Sequence, residues 1–124
     1  MALIAWGELA GRVNQDGEFR LASRIWNATL RLDLGSESRW LCFQEGRLRE
    51  IGSCDPDTDC DLYIRASLED WERLLAPVPK PFYQDLLGAQ LHHGFQMNAD
   101  LLDFAAYYPA LRRLVEILRE ARGG

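Results

Sequence analysis

At 124 residues, with 48% hydrophobic and 27% charged side chains, the chain has room for one domain around one core. Its net charge of −5 argues against a nucleic-acid partner, because phosphate binding needs a basic patch and none is evident. Three cysteines, Cys42, Cys54 and Cys60, cannot all pair within one chain, so reduced thiols are expected.

The start, Met1 to Trp6, has no basic stretch, and Gly7-Glu8 ends its apolar run too early for a signal peptide. No run approaches the roughly 18 apolar residues that span a bilayer. The expectation is a single cytoplasmic domain over residues 1–124 with no stable membrane insertion. Of the 14 basic residues only Lys80 is lysine, which reads as codon bias in a GC-rich bacterial genome and carries no functional weight.

In chain order, Leu3, Trp6, Ala10 and Val13 recur at helical spacing. Asn14 to Gly17 interrupts them, and a short second helix follows around Glu18 to Ser23. Trp26 to Leu34 then alternates strictly, apolar at every even position and polar at every odd one. Period-2 alternation predicts a strand with one face buried and one face wet. Gly35 to Ser38 is a turn, Arg39 to Gln44 a second strand, and Glu45-Gly46 closes a hairpin onto Arg47–Ile51, a polar edge strand.

Gly52 to Asp61 reads as a loop with Asp55, Asp57, Asp59 and Asp61 at alternate positions. An EF-hand would need Gly at its sixth position and Glu at its twelfth. Cys60 and Ala66 stand there, so no metal is expected. Leu62 to Arg65 is a fourth strand, and Ser67 caps a helix with Leu68, Trp71, Leu74 and Leu75 on one face. Ala76 to Pro81 must be extended, since proline bars helix at the residue before it. Phe82 to Ala89 predicts a short helix, and His93 to Asn98 a fifth strand carrying Phe95 and Met97. Leu101 to Tyr108 forms an apolar helical turn and a half, and Pro109 starts a second helical segment through Leu118. This order predicts an α+β fold: a five-stranded, mostly antiparallel sheet with helices packed on one face.

Catalytic signals are thin. His92-His93 is the one histidine site, and neighbouring strand residues point to opposite faces, so at most one could reach a pocket. The serines lack a nucleophile-elbow context, and Asp59 and Asp61 should raise the Cys60 pKa and blunt that thiol. No glycine-rich phosphate cradle is present. A small ketosteroid-isomerase-like barrel is the competing enzyme reading, set back because such folds finish in strands and this chain in a helix.

Three stretches bear a family likeness. They are Cys60-Asp61-Leu62-Tyr63-Ile64-Arg65-Ala66-Ser67-Leu68-Glu69-Asp70-Trp71, Gly94-Phe95-Gln96-Met97-Asn98-Ala99-Asp100, and the Leu41–Ile51 hairpin with its Gly46. With the element order, they make the chain resemble the sterol carrier protein type 2 family over roughly residues 8 to 120. Ala99, where the family often has Gly, and the Pro-rich 76–81 segment mark a divergent branch. The resemblance implies a non-catalytic domain, without cofactor, that binds or transfers a fatty acid, acyl-CoA or sterol-like lipid in a tunnel between sheet and helices. The implied lining positions are Leu30, Leu32, Leu74, Phe82, Leu86, Phe95, Met97, Phe104, Tyr108, Leu111 and Val115. An alternative is an interaction module, in which Trp40 or Leu41 with Cys42 or Phe43 pairs two subunits as a homodimer or docks onto a lipid- or steroid-metabolising enzyme.

Overall fold

The alternating stretch becomes the middle of the sheet. The computed structural model describes residues 4–24, 26–76, 94–97 and 101–121, of which 101–107 are described as backbone only. Its elements are α1 (Trp6–Gln15), α2 (Gly17–Ser23), β1 (Ala28–Leu34), β2 (Glu37–Gln44), β3 (Arg47–Cys54), β4 (Leu62–Ala66), α3 (Leu68–Leu74), β5 (Gln96–Met97) and α4 (Leu101–Glu120). The strand order is β3-β2-β1-β4-β5. β1 runs parallel to β4, and the other neighbours are antiparallel. The parallel pair follows from connectivity: after β3 the chain crosses through residues 55–61 to the free side of β1, and a parallel neighbour requires such a crossover.

Register decides which side chains meet. Leu30 stands between Leu41 and Leu62, and Leu32 stands beside Ile64. These belong to one buried apolar cluster with Leu9, Val13, Phe19, Trp71, Leu74, Leu111 and Leu114 from the helices. At one end of that layer Phe19, Trp26 and Phe43 pack ring to ring, with centroids 5.1 to 5.8 Å apart.

The β2–β3 turn docks on the end of α2. Glu45 and Gly46 both have positive φ, 51° and 77°, as a two-residue hairpin turn with the right-handed strand twist demands. A Cβ on Gly46 would lie 2.7 Å from the Ser23 carbonyl oxygen. The Ser23 hydroxyl donates to the Gly46 carbonyl at 3.2 Å. Farther along the edge strand, the Asn14 amide donates to the Leu48 carbonyl at 3.0 Å and accepts from its N–H at 2.9 Å. The residue that interrupts the first apolar run therefore serves as a partner for the sheet edge.

Four expectations need correction. The odd-numbered face of β1 is not wet: Arg31 is 5% exposed and Asp33 1%. The edge strand continues past Ile51 to Cys54. Gly52 fits there because the Trp40 indole lies across it, and a Cβ would sit 2.5 Å from Trp40 Nε1. Leu68 does not share the buried face of α3 but is 46% exposed, whereas Trp71, Leu74 and Leu75 are buried. Lastly, α4 does not restart at Pro109; one helix runs through it. An internal proline costs a helix about 3 kcal/mol. The buried run Ala110, Leu111, Leu114, Val115, Ile117, Leu118 and Ala121 offsets that by keeping the far half of α4 on the core.

Candidate functional site

The helix-facing side of β1, β4 and β5 carries the candidate ligand surface. Leu32, Ile64 and Met97 form one row across the three strands. Leu30, Leu32 and Leu74 are buried, as are Phe95, Leu111 and Val115. Met97 and Tyr108 are half-buried. Phe95 meets Trp71 edge to face, with ring centroids 5.1 Å apart. The structure thus brings Leu32 and Met97 into one row, puts Phe95 on Trp71 one turn before Leu74, and buries Leu111 and Val115 one turn apart on α4. Phe82, Leu86 and the side chain of Phe104 lie outside the described residues, as do His92 and His93. Ile64 and Trp71 were missed as neighbours of this surface. Ile64 falls in the same alternation as Leu62, and Trp71 is one helical turn from Leu74, so spacing alone could have found both.

α3 is positioned from both ends of this surface. The Ser67 hydroxyl accepts from the Asp70 N–H at 3.1 Å, a helix N-cap. The Trp71 indole N–H donates to the Asp33 carbonyl at 2.8 Å, tying α3 to the centre of the sheet. Arg119 Nε donates to the Leu74 carbonyl at 2.8 Å, which ties α4 to the end of the same helix.

The opposite sheet face holds a charged cluster that sequence reading did not anticipate. Arg31 Nε donates to both Asp33 carboxylate oxygens, at 3.0 and 3.2 Å. Arg65 Nε adds a contact at 3.1 Å and the Ser38 hydroxyl one at 2.7 Å. Arg31 Nη1 donates to the Thr58 carbonyl at 2.8 Å, so the crossover loop lies over the cluster and excludes water. Both guanidinium groups stack on the Tyr63 ring. Burial works against the Arg31 charge, but the Asp33 hydrogen bonds and charge leave its pKa raised. The available signal was two opposite charges two apart on one strand face, Arg31 and Asp33, with Arg65 on a neighbouring strand.

Asp61 of the crossover has a structural role as well. Asp61 accepts from the Thr29 N–H at 2.7 Å, and its own N–H returns a bond to the Thr29 carbonyl. Among the described residues no group of three or more His, Cys, Asp or Glu could hold a metal ion. The Cys60 pKa is raised, as expected, but the chief cause is burial, with Asp33 and Asp61 adding to it against Arg31. Burial raises the Cys54 thiol in the same way.

The far face offers no greasy pairing surface among the described residues. Leu41 and Phe43 point into the core, and Trp40 lies on Gly52. Among the same residues the exposed large apolar side chains are Leu21 and Leu68, neither of them in a strand. Nothing supports the homodimer or enzyme-docking alternative there. No described helix is long and apolar enough to cross a membrane.

One mixed sheet, with its parallel pair at β1 and β4 and its helices on one side, defines an α+β single-sheet fold. That fold is the sterol carrier protein 2 fold. A crystal structure of sterol carrier protein 2 superposes with a TM-score of 0.79 at 20% identity, covering 95% of this chain and 96% of that one. The solution structure of a conserved hypothetical protein from Thermus thermophilus, described as possibly a sterol carrier protein, gives 0.77 at 21% identity over 97% and 88%. A ubiquinone synthesis protein, UbiJ-SCP2, gives 0.56 at 20% identity over 89% and 86%. No family model matches the chain, and no curated protein matches it.

Proposed function

We propose that this protein binds and releases a hydrophobic small molecule, a fatty acid, acyl-CoA or sterol-like lipid, without catalysing a reaction on it. The observation that carries the reading is the superposition on sterol carrier protein 2 over nearly the whole of both chains. The ligand would lie between the helix-facing side of the sheet and the helices. Phe19, Trp26 and Phe43 fill the β2 end of that layer with ring contacts. In this reading the space would lie at the β4–β5 end, with Leu32, Ile64, Leu74, Phe95 and half-buried Met97 as its apolar wall. Tyr108, Leu111 and Val115 would close it from α4, and Phe82, Leu86 and Phe104 are assigned to the same wall by resemblance.

Magnitudes fit a carrier. Burying about fifteen methylenes at ~0.8 kcal/mol each gives about 12 kcal/mol gross. Association costs ~4 kcal/mol or more. A net of ~8 kcal/mol corresponds to roughly micromolar affinity, tight enough to load and weak enough to release.

The test is native mass spectrometry of freshly purified protein, paired with titration of a fluorescent acyl probe. Co-purified lipid masses and saturable uptake of the probe at micromolar concentration are expected. Bare protein together with no uptake would overturn the reading.

A further inference from the structure

A cleft of about 530 Å³ opens outside the sheet–helix layer, in the seam between α2 and α4. Its volume falls within the range of small-molecule sites. Leu21, Ala22 and Pro109 supply apolar walls, and Arg24, Arg112 and Arg113 line the rest with Glu18 and Glu116. Leu21 stands 67% exposed.

The charges of the cleft sort into two sets. Arg113 is saturated: its Nε contacts both Asp16 oxygens at 3.1 Å, and it also pairs with Glu18 at 3.1 Å and Glu116 at 2.7 Å. The two carboxylates of the cleft are therefore engaged. Arg24 has one hydrogen bond, from Nη1 to the Leu21 carbonyl at 3.0 Å, and no ion pair among the described residues. Among the same residues Arg112 has neither. A neighbouring cleft of about 330 Å³ shares Leu21 and Arg24 and adds Arg20 and Arg47 together with Glu45. The two clefts together are lined by five arginines against three glutamates, so on a chain of net charge −5 guanidinium groups are locally in excess around one apolar side chain. Guanidinium is the side chain best matched to carboxylate and phosphate oxygens.

We infer that the α2–α4 cleft binds an amphipathic organic anion, a phosphate or carboxylate head on an apolar chain, with Arg24 and Arg112 on the head and Leu21 against the chain. The site is separate from the proposed interior one and does not depend on it. The same chemistry has two sources: the headgroup of a bilayer phospholipid, or a free soluble amphiphile.

The experiment has two arms on the full chain. In the first, dodecyl phosphate below its critical micelle concentration is titrated by calorimetry. In the second, vesicles of phosphatidylcholine, with or without phosphatidylglycerol, are sedimented with the protein. Arg24→Gln/Arg112→Gln should weaken binding about tenfold or more, as expected for loss of charge-assisted hydrogen bonds. Its far-ultraviolet circular dichroism and its uptake of a neutral pyrene-labelled probe should match the wild type. Leu21→Ser should lower affinity for dodecyl phosphate while leaving inorganic phosphate binding unchanged. Saturable, arginine-dependent binding in the first arm assigns a free amphiphile. Arginine-dependent binding confined to phosphatidylglycerol vesicles assigns a bilayer headgroup. No binding in either arm, or binding that the double variant retains in full, overturns the site. Failure of the pyrene probe alone would count against the interior reading and leave this one standing.

Discussion

Arg31 and Asp33 sit two residues apart on the central strand and face each other on the side of the sheet away from the helices, Nε 3.0 Å from Oδ1. Both are almost wholly out of water. Removing one partner of a buried pair leaves the other charge uncompensated, which costs about 3–5 kcal/mol. Asp33→Ala should therefore lower stability by that amount in urea unfolding. It also strips Ser38 and Arg65 of their acceptor. Arg31→Met/Asp33→Leu should recover part of the loss, because the two apolar groups have no desolvation cost to repay, while Ser38 and Arg65 still lack their acceptor. If the double variant is no more stable than the single one, the cluster holds the loop by packing and not by charge.

Asp16 joins two jobs in one carboxylate. Its Oδ1 accepts from the Phe19 N–H at 2.7 Å, capping α2, and Arg113 of α4 binds the same group. The Arg113 hydrogen bonds, against the opposing effect of burial, hold its pKa below the ordinary 3.8. A carboxylate with a depressed folded pKa contributes stability that is fully present above its unfolded pKa. That contribution is lost as pH falls through the folded pKa. Asp16→Ala should therefore cost about 1 kcal/mol or more near neutral pH, and the gap to wild type should narrow below about pH 4. Denaturation midpoints at pH 7 and pH 3 check this, and an equal gap at both would assign the loss to packing.

Gly52 is where the edge strand gives room to an indole. A Cβ there would meet Trp40 Nε1 at 2.5 Å, and the ring is rigid. Gly52→Val should push the indole off the strand and cost about 1–3 kcal/mol, the range for an overpacked site. Its tryptophan emission should shift against the Trp40→Phe background. Trp40→Thr/Gly52→Val should restore stability by replacing the stacked pair with an ordinary cross-strand one. A Gly52→Val protein with unchanged emission would show that the ring does not depend on the glycine.

Periodicity carried much of this architecture. The alternation from Trp26 to Leu34 told which side chains share a face, and the β1 register agrees. It could not tell what lies over each face. The 55–61 crossover covers Arg31 and Asp33, and a strand pattern contains no information about a loop that folds back on it. Pro109 misled for a related reason: local preference favours a restart, whereas the buried residues of the far turns keep the helix running. Gly52 to Cys54 looked like loop because glycine and serine are weak strand formers, yet pairing with Ser38 to Trp40 decides the matter. The candidate site was legible only through family likeness. Leu32 and Met97 stand far apart in the chain, and no local rule places them in one row.

Met97 offers the sharpest test of whether the β4–β5 end is hollow. It stands at the sheet edge, half-buried, in line with Ile64 and Leu32. In a filled core, Met97→Trp would overpack and cost stability by about 1–3 kcal/mol. In a ligand space, the larger ring would occupy volume that a lipid chain needs, and the protein itself would hardly notice. The expected result is an acyl-probe affinity at least about tenfold weaker, or ~1.4 kcal/mol, with a thermal midpoint within a degree or two of the wild type. Met97→Ala should do the reverse, leaving probe uptake intact or improved. Parallel loss of affinity and stability in Met97→Trp would mark the position as plain core, and the lipid space would then have to be sought elsewhere under α4.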